Sequence, residues 1–180
     1  MKLVELKGIT FVDGGVCAAK GFKANGVQCG LAHKPLGEMA EANAAANNAV
    51  PAAKKKNDLA LIVADKECSA AAVYTTNKVK GAPILVTKEH LRNGKARAVI
   101  VNSVNANTCN PDGVEKATKM CQLAANTLGI NENDVIVAST GVIGQVLPIE
   151  PIEKAMGDLA GGLTYDGNKR ALEAIMTTDT

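Results

Sequence analysis

The stretch that decides the fold is Ala96-Arg97-Ala98-Val99-Ile100-Val101-Asn102, which a polar loop, Ser103-Val104-Asn105-Ala106-Asn107, brings to a close. Its β-branched, apolar make-up reads as a buried strand. Working outward, Asp112 is placed to cap a helix. In that helix Val114, Ala117, Cys121, Ala124 and Leu128 share one face, and Gly129 stands where a helix-ending glycine belongs. Asp134-Val135-Ile136-Val137 then reads as a second short buried strand. Strand, helix and strand in succession predict an α/β domain. Upstream, Leu59–Ala64, Ala70–Thr75 and Ile84–Val86 read as further strands, and residues 2–6 as a weak edge strand. Gly14 to Lys23 reads as turn and loop. Downstream, Pro148 to about Leu159 reads as a helix with Pro151 in its first turn. Asp166 is placed to cap another helix, with Leu172, Ile175 and Met176 facing inward.

The 180 residues suit one domain or a piece of a larger one, and 47% of them are apolar. With no Trp, two Phe and two Tyr, the interior falls to Ala, Val, Ile and Leu, which favours close helix–sheet packing. A net charge of +2 and the scarcity of aromatic rings exclude the usual footprint of nucleic-acid binding. No apolar run approaches membrane-spanning length. The start, Met1-Lys2-Leu3-Val4-Glu5-Leu6-Lys7, is too charged for a signal peptide. Five cysteines (Cys17, Cys29, Cys68, Cys109, Cys121) form no C-x-x-C pair, and His33 and His90 are the two histidines. That leaves few ligands for zinc, and scattered thiols fit a reducing cytoplasm. Cys121 reads as a small core residue. Residues 38–57, rich in Ala and Asn and ending in Lys54-Lys55-Lys56-Asn57, are low in complexity and read as an exposed insertion with a solvated end.

Four segments could carry chemistry. Ala138-Ser139-Thr140-Gly141-Val142-Ile143-Gly144 follows a strand with two small hydroxyls and two glycines. Such a loop can aim backbone N–H groups at an oxyanion or a phosphate. Asn102 to Asn107 sets three amides at a strand end, where α/β folds build sites, although turn chemistry explains asparagines there equally well. Lys78, in the turn Tyr74-Thr75-Thr76-Asn77-Lys78, is a substrate contact or simply a solvated lysine. Met176-Thr177-Thr178-Asp179-Thr180 is a hydroxyl cluster or a frayed end. The G-x-S-x-G, H-E-x-x-H, P-loop and dinucleotide fingerprints are missing.

In order along the chain, Gly14-Gly15-Val16 to Lys20-Gly21-Phe22, Tyr74-Thr75-Thr76-Asn77, Val101-Asn102-Ser103 to Asn105-Ala106-Asn107, Ser139 to Gly144 and Met176 to Thr180 resemble the N-terminal part of ornithine acetyltransferases. These are the bifunctional glutamate N-acetyltransferases of arginine biosynthesis. The resemblance implies an α/β fold with helices layered on stacked mixed sheets, like the self-processing aminopeptidases. It implies transfer of acetyl from N-acetylornithine to glutamate through an acetyl-threonine, with acetyl-CoA as an alternative donor in some members. No cofactor or metal is implied. By the same resemblance, Thr140 and Gly141 form the oxyanion hole and Thr177 contacts substrate. Lys78 and Asn105 are lesser candidates from position alone. The expected partner is the C-terminal (β) chain of the same enzyme, in a higher oligomer, in the cytoplasm, with neither nucleic acid nor membrane. An N-terminal threonine as nucleophile is sensible chemistry, because its own α-amine can act as base.

Three departures stand out. Ala19 replaces a usual proline, Val104 replaces a usual glycine, and the segment of about 32–57 is foreign to the pattern. A β-branched residue disfavours positive φ, so the Val104 loop is expected to be reshaped. The sequence also ends at Thr180, before the family's lysine and nucleophilic threonine. Residues 1–180 are therefore expected to be an N-terminal (α-chain) part, inactive alone. Two rivals remain: a related self-processing aminopeptidase, and a non-catalytic anion- or nucleotide-binding α/β module.

Overall fold

The computed structural model describes residues 8–10, 12–31 and 56–176. Its centre is one mixed sheet of β1 (Phe22–Val27), β2 (Leu59–Ser69), β3 (Lys95–Asn102) and β4 (Val135–Ser139), in the order β1-β2-β3-β4. The first two pairings are antiparallel, whereas β3 and β4 run parallel. A parallel neighbour needs a crossover, and α2 (Gly113–Leu128) supplies it. The other helices are α1 (Ala82–His90), α3 (Glu150–Gly161) and α4 (Asn168–Ile175).

Alternation along the strands sorts the two faces. Leu59, Leu61, Ile100, Val135 and Val137 point to one side, where Val86, Met120, Cys121 and Ile152 from α1, α2 and α3 complete the main core. On the other side Ala24 and Ala60 pack against Ala171 and Ala174 of α4. The α/β class is thus as expected, and Cys121 is fully buried as read. Pro151 lies in the first turn of α3, which begins at Glu150 rather than Pro148. Gly129 (φ +65°) ends α2, and the Ile130 N–H closes back on the Ala125 carbonyl. Asp112 holds the N-cap position, although its side chain makes no capping bond, and Val114 is exposed rather than inward.

Three expectations are corrected. Ile84–Val86 is not a strand but the middle of α1. Pro83 sits in that helix's first turn, and Ala82, Val86 and His90 are buried at helical spacing. Ala70–Thr75 forms no strand. The Ala70 N–H reaches the Gly94 carbonyl, but the segment then runs exposed, with Val73 99% accessible. Leu172, Ile175 and Met176 are exposed, because α4 turns its alanines to the sheet instead. β1 was missed within and beyond the stretch read as loop. The 2–6 strand and residues 32–55 lie outside the described residues.

Side chains pin the frame. Thr87 Oγ1 donates to the Val137 carbonyl at 2.9 Å, and His90 Nδ1 donates to the Val135 carbonyl at 2.8 Å. These bonds satisfy the outer edge of β4, which would otherwise stand unpaired. The buried Asp58 carboxylate accepts the N–H groups of Cys29, Gly30 and Leu31 at 2.6, 3.0 and 2.8 Å, tying the exit of β1 to the entry of β2.

Candidate active site

Because β3 and β4 are parallel neighbours, they end side by side, with Asn102 paired to Ser139. Loops beyond adjacent parallel strands are where α/β sheets place ligands. Here the loop after β3 acts as a template for the loop after β4. Asn105 and Val142 form a parallel bridge. The N–H groups of Thr140, Val142 and Gly144 donate to the carbonyls of Asn102, Val104 and Thr108, each at 3.0 Å, and the Ala106 N–H donates to the Val142 carbonyl. Asn105 Nδ2 and Asn110 Nδ2 both reach the Gln145 carbonyl, at 3.0 and 2.6 Å.

Two residues make this close approach sterically feasible. Gly141 has φ +130°, and a Cβ there would lie 2.1 Å from the Val104 carbonyl carbon, so only glycine fits. Across from it Val104 holds φ +83°. The loop is therefore not reshaped: valine is held in a glycine-type conformation. Its side chain is 7% exposed and belongs to the main core. Burial of the isopropyl group offsets backbone strain on the order of 1–3 kcal/mol.

The alternation of bonds leaves a small set of donors. Among the described residues, the Gly141 N–H, the Ile143 N–H and the Thr140 hydroxyl have no hydrogen-bond partner. The first and last belong to consecutive residues at the strand end and could converge on one oxygen atom. A phosphate cradle would need a run of successive free N–H groups, and Thr140, Val142 and Gly144 interrupt any such run. Val142, Ile143 and Val146 are exposed beside the donors and supply an apolar rim.

The remaining candidates separate. Asn105 is 3% exposed and its amide is turned into the loop frame, with Oδ1 accepting the Asn107 N–H at 2.8 Å and Nδ2 on Gln145. Lys78 is exposed and makes no ion pair among the described residues. Thr177 lies outside the described residues. Among those residues no cluster of three His, Cys, Asp or Glu side chains could hold a metal ion. Sequence reading did not single out Ser139, Asn110 and Gln145 as braces. The available signal was polar residues at the ends of two adjacent strands.

Residues 43–180 match the model of the ArgJ family. The chain is 39% identical over 170 residues to the arginine biosynthesis bifunctional protein ArgJ of Caldanaerobacter subterraneus subsp. tengcongensis, an alignment covering 94% of this chain and 37% of that protein. It is 38% identical over 172 residues to the glutamate N-acetyltransferase of Methanocaldococcus jannaschii, covering 94% and 36%. The chain thus spans little more than a third of the length of these curated relatives. Among solved structures it resembles the arginine biosynthesis bifunctional protein of Bacillus halodurans, with a TM-score of 0.76, 38% identity and coverage of 93% and 78%. It also resembles the ornithine acetyltransferase of Mycobacterium tuberculosis complexed with ornithine, with a TM-score of 0.76, 32% identity and coverage of 93% and 81%. The motifs ordered along the sequence and the backbone they fold into lead to the same place: the chain belongs to the ArgJ family.

Proposed function

We propose that this chain carries the oxyanion-stabilising part of an acyltransferase that moves an acetyl group from N-acetylornithine to glutamate in arginine biosynthesis. The observation that supports it most is the pair of donors left without a partner among the described residues, the Thr140 hydroxyl and the Gly141 N–H, just after β4 and beside the end of the parallel β3. In the proposed reaction a threonine from the remainder of the enzyme attacks the acetyl carbonyl of N-acetylornithine. Its α-amine takes the hydroxyl proton. The carbonyl oxygen becomes an oxyanion, which Thr140 Oγ–H and Gly141 N–H stabilise in a fixed geometry. Collapse breaks the C–N bond, and the ornithine amine leaves with the proton. The glutamate amine then attacks the acetyl-threonine and gives a proton to the α-amine, and the second oxyanion occupies the same place. Its collapse breaks the C–O bond, returns the proton to the threonine oxygen and releases N-acetylglutamate.

This reading needs no cofactor, and acetyl-CoA would enter as an alternative acyl donor. Thr177 is proposed to hold the amino-acid substrate, with Lys78 as a lesser contact. The proposed partner is the C-terminal chain of the same enzyme, in a cytoplasmic oligomer. The test is Thr140→Ala in the full-length enzyme. We expect kcat to fall roughly 10²–10³-fold, the range for removing one oxyanion donor, with KM changed much less. Loss of affinity with kcat retained would make Thr140 a substrate contact instead.

A further inference from the structure

We propose that Asn102 is a positioning residue for the Thr140–Gly141 donors, acting through Ser139; the inference rests on the acyl-transfer reading above. Asn102 ends β3 on the core side and is 0% exposed, in register with the apolar Ile100 and Ala98. An amide in such a place is costly unless its groups are satisfied. Here they are. Nδ2 donates to the Asn105 carbonyl at 2.8 Å and to the Ser103 carbonyl at 3.4 Å, while Oδ1 accepts the Ser139 hydroxyl. The main-chain carbonyl of the same residue accepts the Thr140 N–H at 3.0 Å. One residue therefore fixes, by side chain and backbone, the two residues that precede Gly141. On the far side the Val142 N–H is held by the Val104 carbonyl at 3.0 Å. The Thr140–Gly141 peptide, whose N–H is the candidate donor, is suspended between these two anchors. Its direction is set by the first anchor, and the Ser139–Asn102 bond is the part of that anchor a side chain controls. Small misplacements of such a donor weaken transition-state contacts far more than ground-state binding.

The test uses the full-length enzyme with Ser139→Ala, Ser139→Thr, Asn102→Ala and, as the control for the reading itself, Thr140→Ala. Ser139 is half-buried, so removing its hydroxyl leaves a foldable protein even where Asn102→Ala does not fold. The expected result for Ser139→Ala is a kcat about tenfold lower, the equivalent of one hydrogen bond, with KM within about twofold. Ser139→Thr, which keeps the hydroxyl, recovers most of the rate. A wild-type kcat in Ser139→Ala, in an enzyme that Thr140→Ala does slow, overturns the positioning role. If Thr140→Ala leaves kcat unchanged, the acyl-transfer reading has failed. The amide resonance of Gly141 then decides the positioning alone: a shift in Ser139→Ala that Ser139→Thr reverses upholds it, and an unmoved resonance overturns it.

Discussion

Val104 shows how a single residue can break a local rule and leave the fold intact. Sequence reasoning recognised the conflict between a β-branched side chain and positive φ, and expected the backbone to yield. It does not, because four of the loop's backbone hydrogen bonds to the neighbouring loop and the buried isopropyl group together hold φ at +83°. Those contacts are non-local and leave no trace in the sequence around position 104. Val104→Ala loses buried surface and keeps a side chain in the strained region, whereas Val104→Gly loses more surface but relieves the strain. We expect glycine to be more stable than alanine by about 1 kcal/mol, the reverse of their usual order. Urea denaturation of the three proteins measures it, and an alanine variant as stable as the glycine one contradicts the strain. The half-buried Cys29 and the buried Cys121 give a second prediction. Burial first, and then the Asp58 carboxylate, push the Cys29 thiol far above its ordinary 9.0, and burial pushes Cys121 up to about 12. Below pH 9 both thiols are protonated in the folded and the unfolded chain. Between 9 and about 12 the unfolded chain gives up its protons and the folded chain keeps them, so stability falls as pH rises. Cys121→Ala should flatten that alkaline decline in urea midpoints taken across the window, and an unchanged slope would place its cause elsewhere.

At the scale of elements, β3, β4, α2 and the first half of β2, Leu59 to Ala64, were legible because their patterns are pure, while the polar second half of β2, on to Ser69, was not. The errors arose where an element's residues serve a neighbour. β1, Phe22-Lys23-Ala24-Asn25-Gly26-Val27, reads poorly as a strand because Asn and Gly depress strand propensity. Both residues have tertiary reasons to be there. Asn25 Nδ2 donates to the Leu159 carbonyl at 2.9 Å at the end of α3, and its Oδ1 accepts Arg170 Nε from α4 at 2.7 Å. Gly26 lets α4 lie directly on the strand: a Cβ there would stand 2.1 Å from the Arg170 carbonyl oxygen. The same closeness explains why α4 faces the sheet with Ala171 and Ala174 rather than with its large residues. Gly26→Ala should therefore destabilise the chain by about 3 kcal/mol through overpacking. Hydrogen exchange in α4 should accelerate more than in α2, which packs on the opposite face. Equal protection of the two helices would show that α4 does not depend on this contact. Ile84–Val86 and Ala70–Thr75 failed for a related reason. Short apolar runs carry no period, and only the packing partner decides between helix, strand and neither.

For the whole molecule the informative asymmetry is between the two faces of the sheet. Among the described residues three helices cover one face, while α4, with Cys17 beside it, covers part of the other. On that second face Phe22, Ile62, Ala64, Arg97, Val99 and Ile136 border an open cavity of about 200 Å³. Beside the sheet, Leu172 and Ile175 on α4 and Met176 just past its end are 52%, 37% and 44% exposed. Large apolar residues gathered on one side of a domain mark a surface that a partner covers. Under the proposed function that partner is the remainder of the enzyme, which also brings the nucleophilic threonine. The 180-residue chain by itself is then expected to self-associate or to melt at low temperature, and to transfer no acetyl group from N-acetylornithine to glutamate. Co-expressed with the C-terminal part of a family member, it should elute as a soluble complex and regain transfer, and Thr140→Ala in the complex should slow it again. Size-exclusion chromatography, thermal melts and a transfer assay on both preparations decide the matter. A monodisperse lone chain with a cooperative melt that ignores the C-terminal part would argue for a self-sufficient binding module. Turnover by the lone chain would show that its nucleophile lies within these 180 residues, and the roles assigned to Thr140 and Gly141 would have to be drawn again.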